Sequence, residues 1–137
     1  MEISILDKSN YLKGLLIIAK KDNQLAEQEK KIIRQFAMKL GFAQDFYEET
    51  LKSLLSNKYI LEDPIIFSDK KIAESFIIDG LTLAHSDNSI VGVEIDYIKS
   101  VAIANQIDKK WFDEQTLHFK NTQPSVLNIE FALFSII

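Results

Sequence analysis

The sequence predicts an all-α fold: a single-domain bundle of about six to seven helices, built from two copies of one helical hairpin related by a pseudo-twofold axis. Three observations support this class. Glycine and proline are scarce, at four and two residues, so long helices are easily accommodated. Apolar residues recur at helical spacing. The pattern Ala-x-x-Asp-Asn-x-(Leu/Ile)-x-x-x-Glu occurs twice, at residues 19–29 and 84–94, with a constant offset of 65 residues.

Composition and charge narrow the function classes. With 137 residues and 47% apolar content the chain can bury one core, so residues 1–137 are predicted to form one domain. The net charge of −4 has the wrong sign for generic nucleic-acid binding. The absence of cysteine excludes disulfides and zinc–thiolate sites and fits a cytoplasmic protein. No apolar run reaches the roughly 18 residues of a transmembrane segment.

The first repeat is predicted over residues of about 10–56. A first helix, capped at Ser9 or Asn10, ends at the Asp22-Asn23 turn, because Asx side chains compete for local backbone hydrogen bonds. A second helix covers about 27–40 and ends at a glycine, and a third spans roughly 44–56.

The second repeat is predicted over about 68–120, after a linker at residues 57–67 in which Asp63-Pro64 forbids a continuous helix. Its three helices are expected to end near Ala84, near residue 105 and near residue 119. Asn105 or Gln106 stands where Gly41 stands in the first repeat.

The tail, residues 121–137, changes character after Pro124. Apolar residues there follow a period of two, but the polar face is weak, so a strand, a short buried helix and an extended tail all stay open. Burying a large apolar side chain is worth roughly 1.5–3 kcal/mol. We therefore expect the tail to dock on its own bundle or on a neighbour's, and the second case predicts a homodimer that interacts through the tail.

Candidate metal ligands lie in two acidic turns: Asp22 and Glu29 in the first repeat, Asp87 and Glu94 in the second. Within each pair the two acids are seven residues apart with an aliphatic residue midway, which is the second half of a calcium-loop spacing. The first half is missing, because aliphatic or basic residues stand where the first two ligands would be. A high-affinity EF-hand site is therefore excluded.

Two interpretations of these turns stay open. In the structural one, each aspartate accepts backbone amides at the turn and each glutamate reaches back to free amides at the start of the next helix, with each contact worth ~1 kcal/mol. In the other, the carboxylates bind a divalent cation weakly and pool around it if the two turns approach each other.

Motifs for catalysis are missing from the sequence, which has no Gly-x-Ser-x-Gly, Gly-rich phosphate loop or His-Glu-x-x-His helix. We therefore do not expect an enzyme. The remaining enzymatic alternative has His85 as a general base beside Asp87 and Glu94, but the equivalent residue of the first repeat, Lys20, cannot do the same work at neutral pH.

The duplicated motif resembles the tellurite-resistance TerB family and the TerB-like domain at the front of some membrane-anchored J-protein co-chaperones. Those domains carry Ala-x-x-Asp-Gly-x-Ile-x-x-x-Glu in each of two helical hairpins. The resemblance covers approximately residues 12–119. Both copies replace the family's glycine, at Asn23 and Asn88, and both lose the Ser, Thr or Asp after the aliphatic residue, at Ala26 and Val91. The second change weakens a transferred metal site.

The resemblance implies an all-α bundle in the cytoplasm, close to a membrane where its partner is anchored there. It also implies a link to stress or metal-ion response and a divalent cation as the ligand of Asp22, Glu29, Asp87 and Glu94. The implied function is that of a non-catalytic helical module that binds a protein partner. The alternative is an oligomeric interaction module that uses the apolar tail.

Overall fold

A computed structural model describes residues 2–20, 27–56, 63–85, 92–121 and 131–136. Within these ranges the chain is helical and has no strand, so the predicted all-α class is confirmed. The elements are α1 (Ile5–Lys20), α2 (Glu27–Lys39), α3 (Gln44–Ser56), α4 (Lys70–Ala84), α5 (Gly92–Ala104), α6 (Lys109–Asn121) and a 3-10 helix at Ala132–Ser135, named here the terminal turn.

The bounds of the helices follow the offset seen in the sequence. Helices α2 and α5 begin 65 positions apart and also end 65 positions apart, and the same is true of α3 and α6. The first residues of α1 and α4, Ile5 and Lys70, are separated by the same interval. The helices of the two halves therefore correspond in order and in length, with α1 one residue longer than α4.

Helices α2 and α5 also end with the same backbone geometry. Gly41, with φ of 88°, and Gln106, with φ of 57°, both adopt the left-handed conformation. The amide of the following residue, Phe42 or Ile107, donates back across the last helical turn at 3.0 and 2.9 Å respectively. A left-handed residue after a helix allows these bonds to form with carbonyls that would otherwise lack a partner. The structure thus places Gln106, rather than Asn105, in the role of Gly41.

Helix α4 lies at the centre of the bundle. It packs against α1, α5, α6 and the terminal turn, and it is buried over most of its circumference. Its start is fixed by Asp69, whose side chain accepts the Lys71 N–H at 2.7 Å. A helix that is apolar on most sides belongs in the interior, as the sequence predicts for this one.

A cluster of aromatic side chains joins α1, α2 and α4. The Tyr11 ring stacks on Phe36 with centroids 5.2 Å apart and meets Phe76 edge-on at 5.3 Å. Phe67, which precedes α4, lies 5.7 Å from Tyr11, and Phe131, at the start of the terminal turn, lies 4.9 Å from Phe36. Stacked and edge-on pairs are the favoured arrangements of aromatic rings. The tail therefore meets the bundle at its aromatic core.

The predicted start of the first helix is wrong. Helix α1 begins at Ile5, because the Ser4 hydroxyl oxygen accepts the Asp7 N–H at 3.1 Å and so caps the helix ahead of Ser9 and Asn10.

The described part of the linker packs into the core instead of only connecting the two halves. Ile65 and Phe67 are buried. Asn105, at the end of α5, accepts the Phe67 N–H at 2.9 Å and donates to the Ile65 carbonyl at 2.7 Å. The segment before α4 is therefore held by side-chain packing and by one asparagine.

The described part of the tail, residues 131–136, adopts the short-helix alternative. Phe131 and Leu133 are buried, and the terminal turn packs against α4 of the same chain. The alternation of Phe131 and Leu133 with other residues marks one face of a single turn. For these residues, docking on the chain's own bundle is confirmed. The homodimer through the tail stays a prediction.

Candidate functional site

The four predicted metal ligands are only partly described. Asp22 and Asp87 lie outside the described residues, and Glu94 falls in the first turn of α5 with its side chain outside the described part. Glu29 lies in the first turn of α2, and only 1% of it is exposed. The described residues therefore do not bring the four carboxylates together, and the metal site stays a prediction.

Glu29 occupies a position that suits a carboxylate on local grounds. The first turn of a helix has free backbone amides and a partial positive charge, which interact favourably with an acidic side chain. The structural interpretation of the turn needs this geometry, whereas the cation interpretation needs the oxygens of Asp22 as well. Across the described ranges, no three His, Asp or Glu side chains are placed to share a metal ion.

His85 packs at the end of α4. It is buried, its Nδ1 atom lies 2.8 Å from the Leu81 carbonyl oxygen, and its ring centroid lies 5.7 Å from that of Phe119. Because a carbonyl oxygen only accepts, Nδ1 is the nitrogen that carries the proton. The described surroundings of His85 are thus its own helix and an aromatic ring, and the enzymatic alternative stays a prediction.

Asp79 is a buried carboxylate that the sequence analysis did not single out. It lies in the second half of α4 and has no exposed surface. Its carboxylate accepts hydrogen bonds from the Tyr11 hydroxyl of α1, from the Ala132 N–H at 2.5 Å and from the Leu133 N–H at 3.3 Å. One acid on the central helix therefore binds α1 and the terminal turn together.

The two amides that bind Asp79 are the free donors at the start of the terminal turn. The residue in the capping position, Phe131, has no side-chain oxygen and makes no capping hydrogen bond. The first amides of a helical turn lack partners within the turn, and leaving them buried and unbonded would be costly. Asp79 supplies the missing acceptor from a helix more than 50 residues earlier in the chain.

Burial controls the charge of this cluster. It raises the pKa of Asp79 from its ordinary value of 3.8 to about 7, although the hydrogen bonds from Tyr11, Ala132 and Leu133 act in the opposite direction. The pKa of the Tyr11 hydroxyl is raised well above its usual range, first by burial, then by the charge of Asp79 and by the hydrogen bond to it. Near pH 7, Tyr11 is therefore a protonated donor while Asp79 is close to half ionised.

The arrangement around Asp79 acts as a clamp and not as a catalytic centre. A substrate needs access to the reacting group, and the Asp79 carboxylate is fully covered while Tyr11 and the terminal turn are in place. Its chemistry is that of an acceptor whose strength depends on whether it carries a proton.

A second buried aspartate, Asp7 of α1, holds another segment in a similar way. It accepts the Ser68 N–H at 3.2 Å and also the Ser68 hydroxyl, just before α4 begins. Both buried aspartates thus bind segments that are distant in sequence. Buried polar groups that are fully hydrogen-bonded in this way define which segments pack together.

The sequence did carry a signal for Asp79. It is an acidic residue in a helix that is otherwise apolar on most sides, and a buried acid needs donors. The position 65 residues earlier is Gly14, where a Cβ atom would lie 2.6 Å from Cζ of Phe76. An aromatic ring therefore fills the space in the first half, whereas the second half has a carboxylate that binds the tail.

A shallow groove lies on the surface between the start of α1 and the end of α2. Its volume is about 720 Å³, and it is lined by Glu2, Ile3, Ser4, Ile5, Lys8, Lys39 and Leu40. Its charged lining residues are two lysines and one glutamate, so its net charge is positive. The Lys39 ammonium also lies 5.2 Å from the centre of the Phe134 ring, so the groove borders the terminal turn.

None of the described helices combines the length and the apolar character that crossing a membrane requires. Comparison of the chain with protein-family models, with curated proteins and with solved structures gave no match in any of the three. The resemblance to TerB proteins therefore depends on the duplicated motif alone and stays a hypothesis.

Proposed function

We propose that this chain is a non-catalytic, TerB-like helical module that binds a protein partner. The observation that carries the proposal is the use of the two buried aspartates. Asp7 and Asp79 accept hydrogen bonds from distant segments and stabilise the bundle, so these interior acids serve the fold. Binding is then a property of the surface. The lack of cysteine supports a cytoplasmic location, and the resemblance supports a role in stress or metal-ion response.

We interpret the fold as two copies of one helical unit related by a pseudo-twofold axis. The common offset of the helix bounds supports this interpretation, as does the pair of left-handed residues, Gly41 and Gln106, at equivalent positions. Internal duplication of a helical hairpin is the main feature that the chain shares with the TerB-like pattern.

The groove at the start of α1 is the proposed contact surface. Ile5 and Leu6 are 79% and 70% exposed, which is unusual for two consecutive large apolar residues. Lys8 and Lys39 give the surface a positive charge. Its complement is an amphipathic segment of a partner protein that carries apolar residues and at least one acidic residue, because opposite charges favour encounter and fix orientation.

Capture experiments with variants test this surface. The immobilised chain is exposed to a cell lysate beside Ile5→Ser, Lys8→Glu and a control, Leu117→Ser, which changes an exposed leucine of α6. We expect a protein that is retained by the wild type and by the control and lost with both groove variants. Retention that is the same for all four proteins, or retention of nothing, contradicts the proposed surface.

A divalent cation on the acidic turns is the second part of the proposal. Calorimetric titration with calcium, magnesium, zinc and manganese should give heat with the wild type and none with the double variant Asp22→Asn/Asp87→Asn. The double variant Asp45→Asn/Asp113→Asn removes the same charge from exposed sites on α3 and α6 and should behave as the wild type. No heat and no shift in melting temperature at millimolar metal would remove the cation from the proposal.

A further inference from the structure

We propose that the terminal turn is a proton-controlled latch, closed over the bundle when the Asp79 carboxyl group carries a proton and released more readily when it is ionised. The latch consists of residues 131–136 and of the two groups beneath them, Asp79 and the aromatic ring of Phe36. Opening it would uncover Phe36 and the carboxylate together.

The geometry places the hydrogen-bonded contact of the latch on one ionisable group. The Ala132 and Leu133 amides both donate to Asp79, and the aromatic rings of Phe131 and Phe134 lie 4.9 and 5.4 Å from the ring of Phe36. The apolar contacts do not depend on pH. The contact of the amides does, because their acceptor changes its charge.

The groups that face Asp79 leave it as the titrating member of the cluster. From α1, the Tyr11 hydroxyl faces it, and that hydroxyl stays protonated through the neutral range. The terminal turn contributes two amides and has no ionisable side chain. The buried faces of α5 and α6 carry Tyr97 and Phe112, and Lys39 of α2 lies over the outer ring, Phe134.

The direction of the pH effect follows from burial. With the turn closed, the pKa of Asp79 is about 7, and desolvation is the largest cause. When the turn lifts, water reaches the carboxylate and lowers its pKa towards the ordinary value. The protonated form therefore favours the closed state, and closure weakens as the pH rises from about 4 to 7. If the open carboxylate behaves as an ordinary one, the closing equilibrium falls up to roughly a hundredfold between pH 5 and pH 8.

Amide hydrogen exchange of the whole chain measures the latch directly, because its two reporters are the Ala132 and Leu133 amides. Their protection factors, corrected for the intrinsic pH dependence of exchange, report even a rarely populated open state. We expect them to fall between pH 5 and pH 8 by one to two powers of ten. At each pH we expect them to be at least tenfold lower than those of the Phe76 and Ile77 amides in α4, because the turn opens without the bundle.

Two variants separate the latch from general effects of buried acids. Asp79→Asn keeps an acceptor and removes the titration, so its two reporter amides should show protection factors that do not change with pH. Asp7→Asn alters the other buried aspartate, which binds Ser68 and not the tail, and should keep the pH dependence of the wild type.

Three results would overturn the proposal. The first is protection of Ala132 and Leu133 in the wild type that is constant or rises with pH. The second is protection equal to that of α4 at every pH, because the turn would then open only when the whole molecule unfolds. The third is the same pH dependence in Asp79→Asn. The first two need only the wild-type protein, so the test holds even if a variant fails to fold.

Discussion

Asp79 shows how one residue can be required by the fold and still be costly to it. The start of the terminal turn has two buried amides and no local acceptor, so an acceptor must come from elsewhere. A carboxylate satisfies both amides and the Tyr11 hydroxyl at once. The charge is then held without water, and the cost of that desolvation appears as a raised pKa.

This cost predicts how the stability of the protein depends on pH. The pKa of Asp79 is about 7 in the folded chain and near 3.8 when the chain is unfolded, so its contribution is fully present below pH 4 and is lost as the pH rises to 7. Asp79→Asn removes that loss. We expect the wild type to lose on the order of a few kcal/mol of unfolding free energy from this group between pH 4 and pH 8, and the variant to lose none of it.

Urea unfolding at several pH values measures both proteins. The difference in unfolding free energy between Asp79→Asn and the wild type should shift in favour of the variant as the pH rises. A difference that is constant with pH would show that Asp79 keeps its ordinary pKa in the folded chain.

At the scale of helices, the two halves solve the same problem with different residues. Helices α2 and α5 both end in a left-handed residue, but the first half has glycine and the second has glutamine. A residue with a Cβ atom pays roughly 1 kcal/mol in this conformation, whereas glycine does not. The equivalent positions therefore differ in strain while sharing one geometry.

This difference predicts opposite effects of two reciprocal substitutions. Gln106→Gly should stabilise the chain by about 0.5–1 kcal/mol, because it relieves the left-handed strain at the end of α5. Gly41→Gln should destabilise it by about 1 kcal/mol, and this is a test of backbone conformation alone, since no atom lies within 4 Å of a Cβ added at Gly41. Thermal unfolding of both variants gives the comparison, and effects of the same sign would contradict the shared geometry.

Most helix bounds could be predicted because local residues set them. Gly41 ends the segment of α2 and Asp108 caps α6, where its side chain accepts the Trp111 N–H at 3.2 Å; both signals are visible in the sequence. The start of α1 was missed because two further polar candidates, Ser9 and Asn10, follow the true cap at Ser4. Local capping chemistry cannot decide among several suitable residues without the tertiary contacts.

The tail and the Asp79 cluster could not be predicted because they depend on distant contacts. Phe131 and Leu133 show a period of two in the sequence, which a strand also produces, and only their packing on α4 makes them one face of a turn. Asp79 was passed over because the apolar stripe of α4 was taken as the informative part of the helix. Its role needs Tyr11 and Ala132, which are 68 and 53 residues away in sequence.

At the scale of the whole molecule, the terminal turn completes the core. The central helix α4 is surrounded by α1, α5 and α6, and the turn packs against it as well. Leu133 has no exposed surface, and Phe131 extends the aromatic cluster of Tyr11 and Phe36. The tail is therefore part of the apolar interior and also the element with the most pH-sensitive attachment.

The contribution of the tail to stability can be measured with two leucines. Leu133→Ala removes a fully buried side chain and should lower the unfolding free energy by about 2–5 kcal/mol, whereas Leu117→Ala, at a site that is 60% exposed on α6, should change it by less than about 0.5 kcal/mol. Urea unfolding monitored by circular dichroism gives both values. Similar effects of the two substitutions would contradict the burial of the terminal turn.

The same experiment decides whether the tail docks within one chain or between two copies. If Leu133 is buried in its own chain, the unfolding midpoint of the wild type does not depend on protein concentration. If it is buried in a neighbour, folding and association are linked, and the midpoint rises with concentration. We expect no dependence, because the described contacts of Leu133 are made to α4 of the same chain. A rising midpoint that Leu133→Ala abolishes would establish the tail-mediated dimer instead.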